Sequence, residues 1–206
     1  MRTKLFIVAA LLAALATPAF APFAFAQTPR ENVRGTIAKL AGQTLTVKQR
    51  DGQTVNVALA PNYTVRALVK KKLSDIKPGD FVGTTSVPGK DGKLHAVEVH
   101  FFPANLNIPE TQSPWDLVPN ATMTNAHVDG VAKAASGSML AINYKGSVAQ
   151  VLVDKKTQIV GPAPTPASAA DLKPGRTVFI LATKGADGTL TAASITVEKN
   201  GIKPPM

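Results

Sequence analysis

Asp75-Ile76-Lys77-Pro78-Gly79-Asp80 returns, little changed, as Asp171-Leu172-Lys173-Pro174-Gly175-Arg176. Similarity at a fixed offset reveals the building unit before any secondary structure is assigned, and here the offset, roughly 95 residues, extends in both directions. Upstream, Val33 to Lys39 matches Val128 to Lys133 with Gly35 and Gly130 in register, Gly42 to Val47 matches Gly137 to Ile142, and Leu59 to Val65 matches Val153 to Ile159. Downstream, Asp91 to Val99 matches Asp187 to Ile195. Five blocks in one order make the chain a tandem repeat.

Within each copy apolar and polar residues alternate, the period of a half-buried strand. In the first copy Val33 to Leu40, Thr44 to Lys48, Thr54 to Leu59, Phe81 to Val87 and Lys93 to Phe101 read as five strands. Ala41-Gly42, Asp51-Gly52 and Asp91-Gly92 place glycine in the turns, where positive φ is needed. One helical candidate lies between strands three and four, around Leu73 to Ile76, stopped by Pro78-Gly79. The second copy spells that connection Gly161-Pro162-Ala163-Pro164-Thr165-Pro166, a loop. Three strands, a connection and two strands is the order of a small five-stranded barrel of the OB type. The expected fold is therefore all-β: two tandem OB-like barrels at 33–102 and 127–199, an ordered linker at 103–126 and a tail at 200–206. Each core alone is marginal, so the barrels should pack on each other, tied by Pro103 to Ala126.

Gly-x-Ile/Val with a following Gly-x-x-Leu-Thr-Val, then Asp-Leu/Ile-Lys-Pro-Gly, then Asp-Gly-x-Leu-x-Ala resemble a family of bacterial exported domains of unknown function, over Val33 to Phe102 and Val128 to Val197. The resemblance implies the domain type and no activity. Relatives can carry labels naming a metal transporter permease, an activity that needs membrane spans this sequence lacks. A second resemblance, through the opening strand and the Ile-Lys-x-Gly-Asp turn, is to the small periplasmic copper- and silver-binding barrel of metal-efflux systems. It implies a site of His, Met and Trp side chains around the second and third strands. The corresponding stretches here, Thr44 to Leu59 and Met139 to Val153, supply only Met139.

The start of the chain reads as an address. Arg2 and Lys4 precede an apolar run from Leu5 to Ala16 that Pro18 ends, and Ala24-Phe25-Ala26 is a small-x-small cleavage signature. Residues 1–26 are expected to be a signal peptide cleaved before Gln27, since the run falls short of the roughly 20 residues that span a bilayer core. No later stretch is long and apolar enough to span, so no transmembrane segment is expected in the mature form. The whole chain lacks cysteine, which removes disulfides, thiolate metal sites and Cys nucleophiles together. Without Arg2 and Lys4 the chain carries 21 basic against 13 acidic residues, a balance of +8. That balance suggests an anionic envelope component, or a protein, as partner.

Nucleic acid, the usual partner of a basic OB-like barrel, needs stacking aromatics. Of 11 aromatic residues four fall within 1–26, and the second copy keeps only Tyr144 and Phe179; no nucleic-acid partner is expected. No Gly-x-Ser-x-Gly, His-Glu-x-x-His or phosphate-cradling glycine loop occurs, so no enzyme activity and no cofactor are implied. The leading expectation is a non-enzymatic exported binding or accessory protein, with a metal-handling accessory protein as the alternative. Candidate binding residues are the basic cluster Lys70, Lys71 and Lys72, and Trp115, the one Trp, which sits between the repeats as a recognition anchor or a plug between domains. For metal the candidates are His95, Glu98 and His100. Strand alternation puts Glu98 and His100 on one solvent-facing side and His95 on the other. His127 begins a strand and Met139 lies past its turn, too far apart to share an ion.

Overall fold

The computed structural model describes residues 29–103 and 106–205. The expected signal peptide and its cleavage after Ala26 lie outside the described residues. In chain order the elements are β1 (Arg30–Ala41), β2 (Thr44–Gln49), β3 (Thr54–Arg66), β4 (Leu68–Lys70), the 3-10 turn η1 (Leu73–Asp75), β5 (Phe81–Pro88), β6 (Leu94–Phe101), β7 (Thr111–Trp115) and β8 (Ala121–Ala134). They continue with β9 (Gly137–Tyr144), β10 (Ser147–Val153), β11 (Gln158–Pro162), η2 (Ala169–Asp171), β12 (Thr177–Lys184) and β13 (Leu190–Val197). Among the described residues there is no α-helix, hence none long and apolar enough to cross a membrane. The helical candidate is a single 3-10 turn in each copy.

Two five-stranded barrels result, as alternation and turn chemistry require, but neither is made from one repeat. The first closes in the order β1-β12-β13-β3-β2, so strands one to three of the first copy join strands four and five of the second. The second takes β8, β9 and β10 from the second copy and β5 and β6 from the first, closed by the β10–β6 pairing. In both, the third strand runs parallel to the borrowed fifth strand, β3 beside β13 and β10 beside β6. Each hydrophobic core is mixed accordingly. Val33, Ile37, Leu45, Val47 and Val57 pack with Leu172, Val178, Ile180, Leu190 and Ile195 in one, and Val82 and Val99 pack with Val128, Leu140, Ile142 and Val151 in the other. The repeat boundaries 33–102 and 127–199 therefore mark copies of sequence and not the barrels. Each copy runs through both.

The exchange happens at the connection after strand three. There β4 lies antiparallel on β11, pairing Lys70 with Val160, Val69 with Gly161 and Leu68 with Pro162. The Lys71 N–H donates to Ile159 O and the Ala163 N–H to Ala67 O, both at 2.9 Å. Pro162 ends β11, and the second connection bends at Pro164 and Thr165 before η2. Beyond the crossing, Ile76 after η1 enters the second core and Leu172 after η2 enters the first. Each Lys-Pro-Gly turn then hooks the other copy's first strand. Gly79 N–H donates to Val128 O and Val128 N–H to Asp80 O, both at 2.8 Å. Gly175 N–H to Ile37 O and Ile37 N–H to Arg176 O repeat the pattern at 2.9 Å.

The front of the repeat aligns differently in space than in sequence. Ile37 pairs with Val47, ten residues on, whereas Val128 pairs with Ile142, fourteen residues on. The second copy's first hairpin is thus four residues longer, and the spatial counterpart of Gly35 is Ala126 rather than Gly130. Gly35 faces Val178 on one side and Gln49 on the other, with a bulge following at Ala38. A Cβ there would collide with Lys48 O, while one on Gly130 would meet nothing within 4 Å. Of these two glycines, Gly35 is the one that close strand approach requires.

The expected linker is partly sheet: β7 adds to the edge of β8. Its far end clamps the first barrel, where Asp116 accepts from Asn32 Nδ2 at 2.8 Å and from Arg34, and Leu117 O accepts from Arg50 at 3.0 Å.

Candidate functional site

Where β5 leaves the Lys-Pro-Gly-Asp turn and runs beside β8, Phe81 stands opposite His127. Their rings meet edge to face at 4.9 Å, and Phe102, just past β6, lies 6.0 Å from Phe81 and 4.8 Å from the His100 ring. Phe102 is seated by Gly83, where a Cβ would come within 3.0 Å of the phenyl ring. The start of the linker completes a pocket of about 460 Å³ lined by Asp80, Phe81, Phe101, Phe102, Ile108 and Glu110 among others, with His127 at its wall. This volume lies within the roughly 300–1,000 Å³ of small-ligand pockets, which are mostly apolar with a few placed polar groups.

The polar groups are held in place by local structure. Asp80 Oδ2 accepts the Lys77 N–H at 2.8 Å within its turn, and Glu110 Oε2 accepts the Lys145 N–H at 2.9 Å. His127 Nδ1 lies 3.3 Å from Gly79 O; a carbonyl only accepts, so Nδ1 is the donor of this pair. Sequence reading passed over this pocket because its walls come from both copies and the linker. One signal was present: of the four Phe residues beyond position 26, three are Phe81, Phe101 and Phe102.

Glu98 and His100 form a second cluster. They do share the outer face of β6, but that face is not solvated: Glu98 is 0% and His100 4% exposed. Glu98 Oε1 and His100 Nδ1 lie 3.4 Å apart, and neither has a hydrogen-bond partner among the described residues. Thr85 Oγ1 donates to Glu98 Oε2 at 3.4 Å and sits 3.9 Å from Met123 Sδ. Alternation was also misread for His95, because a register shift between Thr85 and Ser86 bulges out Val97. Ala96 and Val99 consequently both point into the core, so His95 is on the same outer side as Glu98. It is nonetheless engaged elsewhere, with Nε2 2.9 Å from Asp91 Oδ1 in the hairpin turn, a contact that lowers the Asp91 pKa. Among the described residues no group of three His, Cys, Asp or Glu side chains is placed to hold a metal ion.

Trp115 lies in the seam between the barrels. The Arg34 guanidinium sits over the Trp115 ring at 5.1 Å and over Phe179 at 4.7 Å, with Asp116 closing the ion pair. Burial lowers the Arg34 pKa and the Asp116 charge opposes that shift. The basic cluster lies on the crossing. Lys70 is exposed in β4, the Lys71 stem packs over Gly161, and the Lys72 N–H donates to Asp75 at 2.9 Å. The structure thus brings Glu98 and His100 together, and leaves His95, Trp115 and the lysines at separate places.

Residues 128–196 match the domain of unknown function DUF5666. The matched stretch begins in β8 and ends in β13, so it contributes strands to both barrels. No curated protein and no solved structure matches the chain.

Proposed function

We propose that the chain is an exported, non-enzymatic binding or accessory protein of the bacterial envelope, and that it holds its ligand in the pocket walled by Phe81, Phe102 and His127. The observation that carries this reading is the pocket itself: a chain with few aromatic residues gathers three of its phenylalanines and a histidine around about 460 Å³. Exposed Lys70 and Lys72 give an anionic envelope component or a protein partner a separate contact on the crossing. Two measurements test the reading. N-terminal sequencing of the protein from a periplasmic extract should begin at Gln27. Saturation-transfer NMR with a small-fragment set should show binders to the wild type that Phe81→Ala loses; equal binding by the variant removes the pocket from the proposal.

A metal-handling role is favoured by one observation, the facing Glu98 Oε1 and His100 Nδ1. Their 3.4 Å separation suits two ligands on one ion at bond lengths of about 2.0–2.2 Å, with Met123 as a soft neighbour beyond Thr85. Calorimetry with copper, zinc and nickel ions should then show tight binding that Glu98→Gln abolishes. Binding unchanged by Glu98→Gln and His100→Gln ends this reading.

A further inference from the structure

Resting on the pocket as the binding site, we propose that its ligand is an organic cation: an ammonium group carried on an aromatic or branched apolar body. The chain as a whole bears +10, yet the ionisable groups lining this pocket are Asp80, Glu110 and His127, with no Lys or Arg. None of the ion pairs among the described residues involves Asp80 or Glu110. Lys77 and Lys145 contribute backbone N–H groups, each to one oxygen of a carboxylate. The Lys145 ammonium is directed elsewhere, over the Tyr144 ring at 5.3 Å. What the pocket offers a ligand is therefore two carboxylates, with the His127 ring and the Asn107 amide beside them.

The walls select for the same chemistry. An aromatic face attracts a cation through the ring quadrupole, most strongly where water is excluded, and here Phe81 and Phe102 are packed against each other at 6.0 Å with His127 edge-on to Phe81. An anion would meet two carboxylates with no Lys or Arg to compensate them, and a neutral ligand would leave both carboxylates without a counter-charge. The net positive charge of the rest of the surface disfavours inorganic cations at long range. A large apolar body recovers through burial what that field costs.

The test uses three probes of one shape on the purified protein: 2-phenylethylamine, 2-phenylethanol and phenylacetate, titrated by calorimetry at low salt, pH 7. The amine should bind at least tenfold more tightly than the alcohol, and phenylacetate should not bind. Asp80→Asn combined with Glu110→Gln keeps the backbone hydrogen-bond acceptors and should erase the tenfold preference, circular dichroism confirming that the barrels remain. If amine and alcohol bind equally and Phe81→Ala weakens both, the cation is wrong and the pocket stands. If no probe binds at 10 mM, the pocket reading falls as well.

Discussion

Truncating Ile180 to Ala separates exchanged barrels from independent ones. Ile180 is fully buried in the first core, on β12, opposite Val33 of β1. Removing its branched side chain costs about 2–5 kcal/mol, of which about 3 is a fair central value. If the strand exchange makes both barrels one cooperative unit, the described residues 29–103 and 106–205 melt together. At about 0.7 kcal/mol per residue the calorimetric enthalpy is then roughly 120 kcal/mol, and each kcal/mol lowers the midpoint by about 2–4 °C. The expected result is a single transition displaced by roughly 6–12 °C, with equal van't Hoff and calorimetric enthalpies. Barrels closed within each repeat behave otherwise: one transition of some 70 residues falls by roughly 12–24 °C while the other stays in place. Differential scanning calorimetry decides. A split transition, with a van't Hoff enthalpy near half the calorimetric one, refutes the exchange.

Gly35→Ala forces a Cβ against Lys48 O and should lower the unfolding free energy measured in urea by about 3 kcal/mol, whereas Gly130→Ala should be nearly silent. A double-mutant cycle of Arg34→Met and Trp115→Ala, read by urea unfolding, should give a coupling of about 0.5–2 kcal/mol from the cation–π contact; zero coupling would make Trp115 a bystander in the seam. Hydrogen bonds from Ser168 N–H and then Lys199 hold the Asp171 carboxyl below its ordinary 3.8. A depressed carboxyl stabilises the fold above its unfolded value and loses that contribution as pH falls through the folded one. Between pH 4 and pH 2 the wild type should therefore lose more stability than Asp171→Asn, as equilibrium unfolding at each pH will show. Cleaving the backbone at exposed Asn107 should leave both fragments co-eluting on size exclusion, since each barrel holds strands from both sides of the cut.

Strand positions were legible because period-two alternation and Gly turns are local. Gly42, Gly52 and Gly92 do sit at positive φ. Which fourth strand closes which barrel was not, because Phe81–Pro88 and Thr177–Lys184 carry equivalent patterns and either fits either first strand. The choice shows only where β4 pairs with β11, three residues on each side with no sequence pattern of their own. Glu98 and His100 were correctly placed on one face, but burial of that outer face depends on packing outside the barrel wall, which strand periodicity does not encode. His95 was assigned to the wrong side by one extra residue, Val97. The aromatic pocket was hidden for a third reason: Phe81, Phe102 and His127 are far apart along the chain and meet only once β5 of one copy pairs with β8 of the other.

The exchange also sets an order of assembly during synthesis. The first barrel pairs Arg34 with Phe179 and Val57 with Leu190, so its first three strands wait for strands made more than a hundred residues later. The second barrel needs nothing beyond β10 and β11 to close and can form first. At about 5–20 residues per second, β1 to β3 spend several seconds or more without β12 and β13, their apolar faces uncovered. The first barrel stays open until β12 and β13 emerge, and a ribosome-stalled chain ending before Thr177 should remain protease-sensitive across β1 to β3.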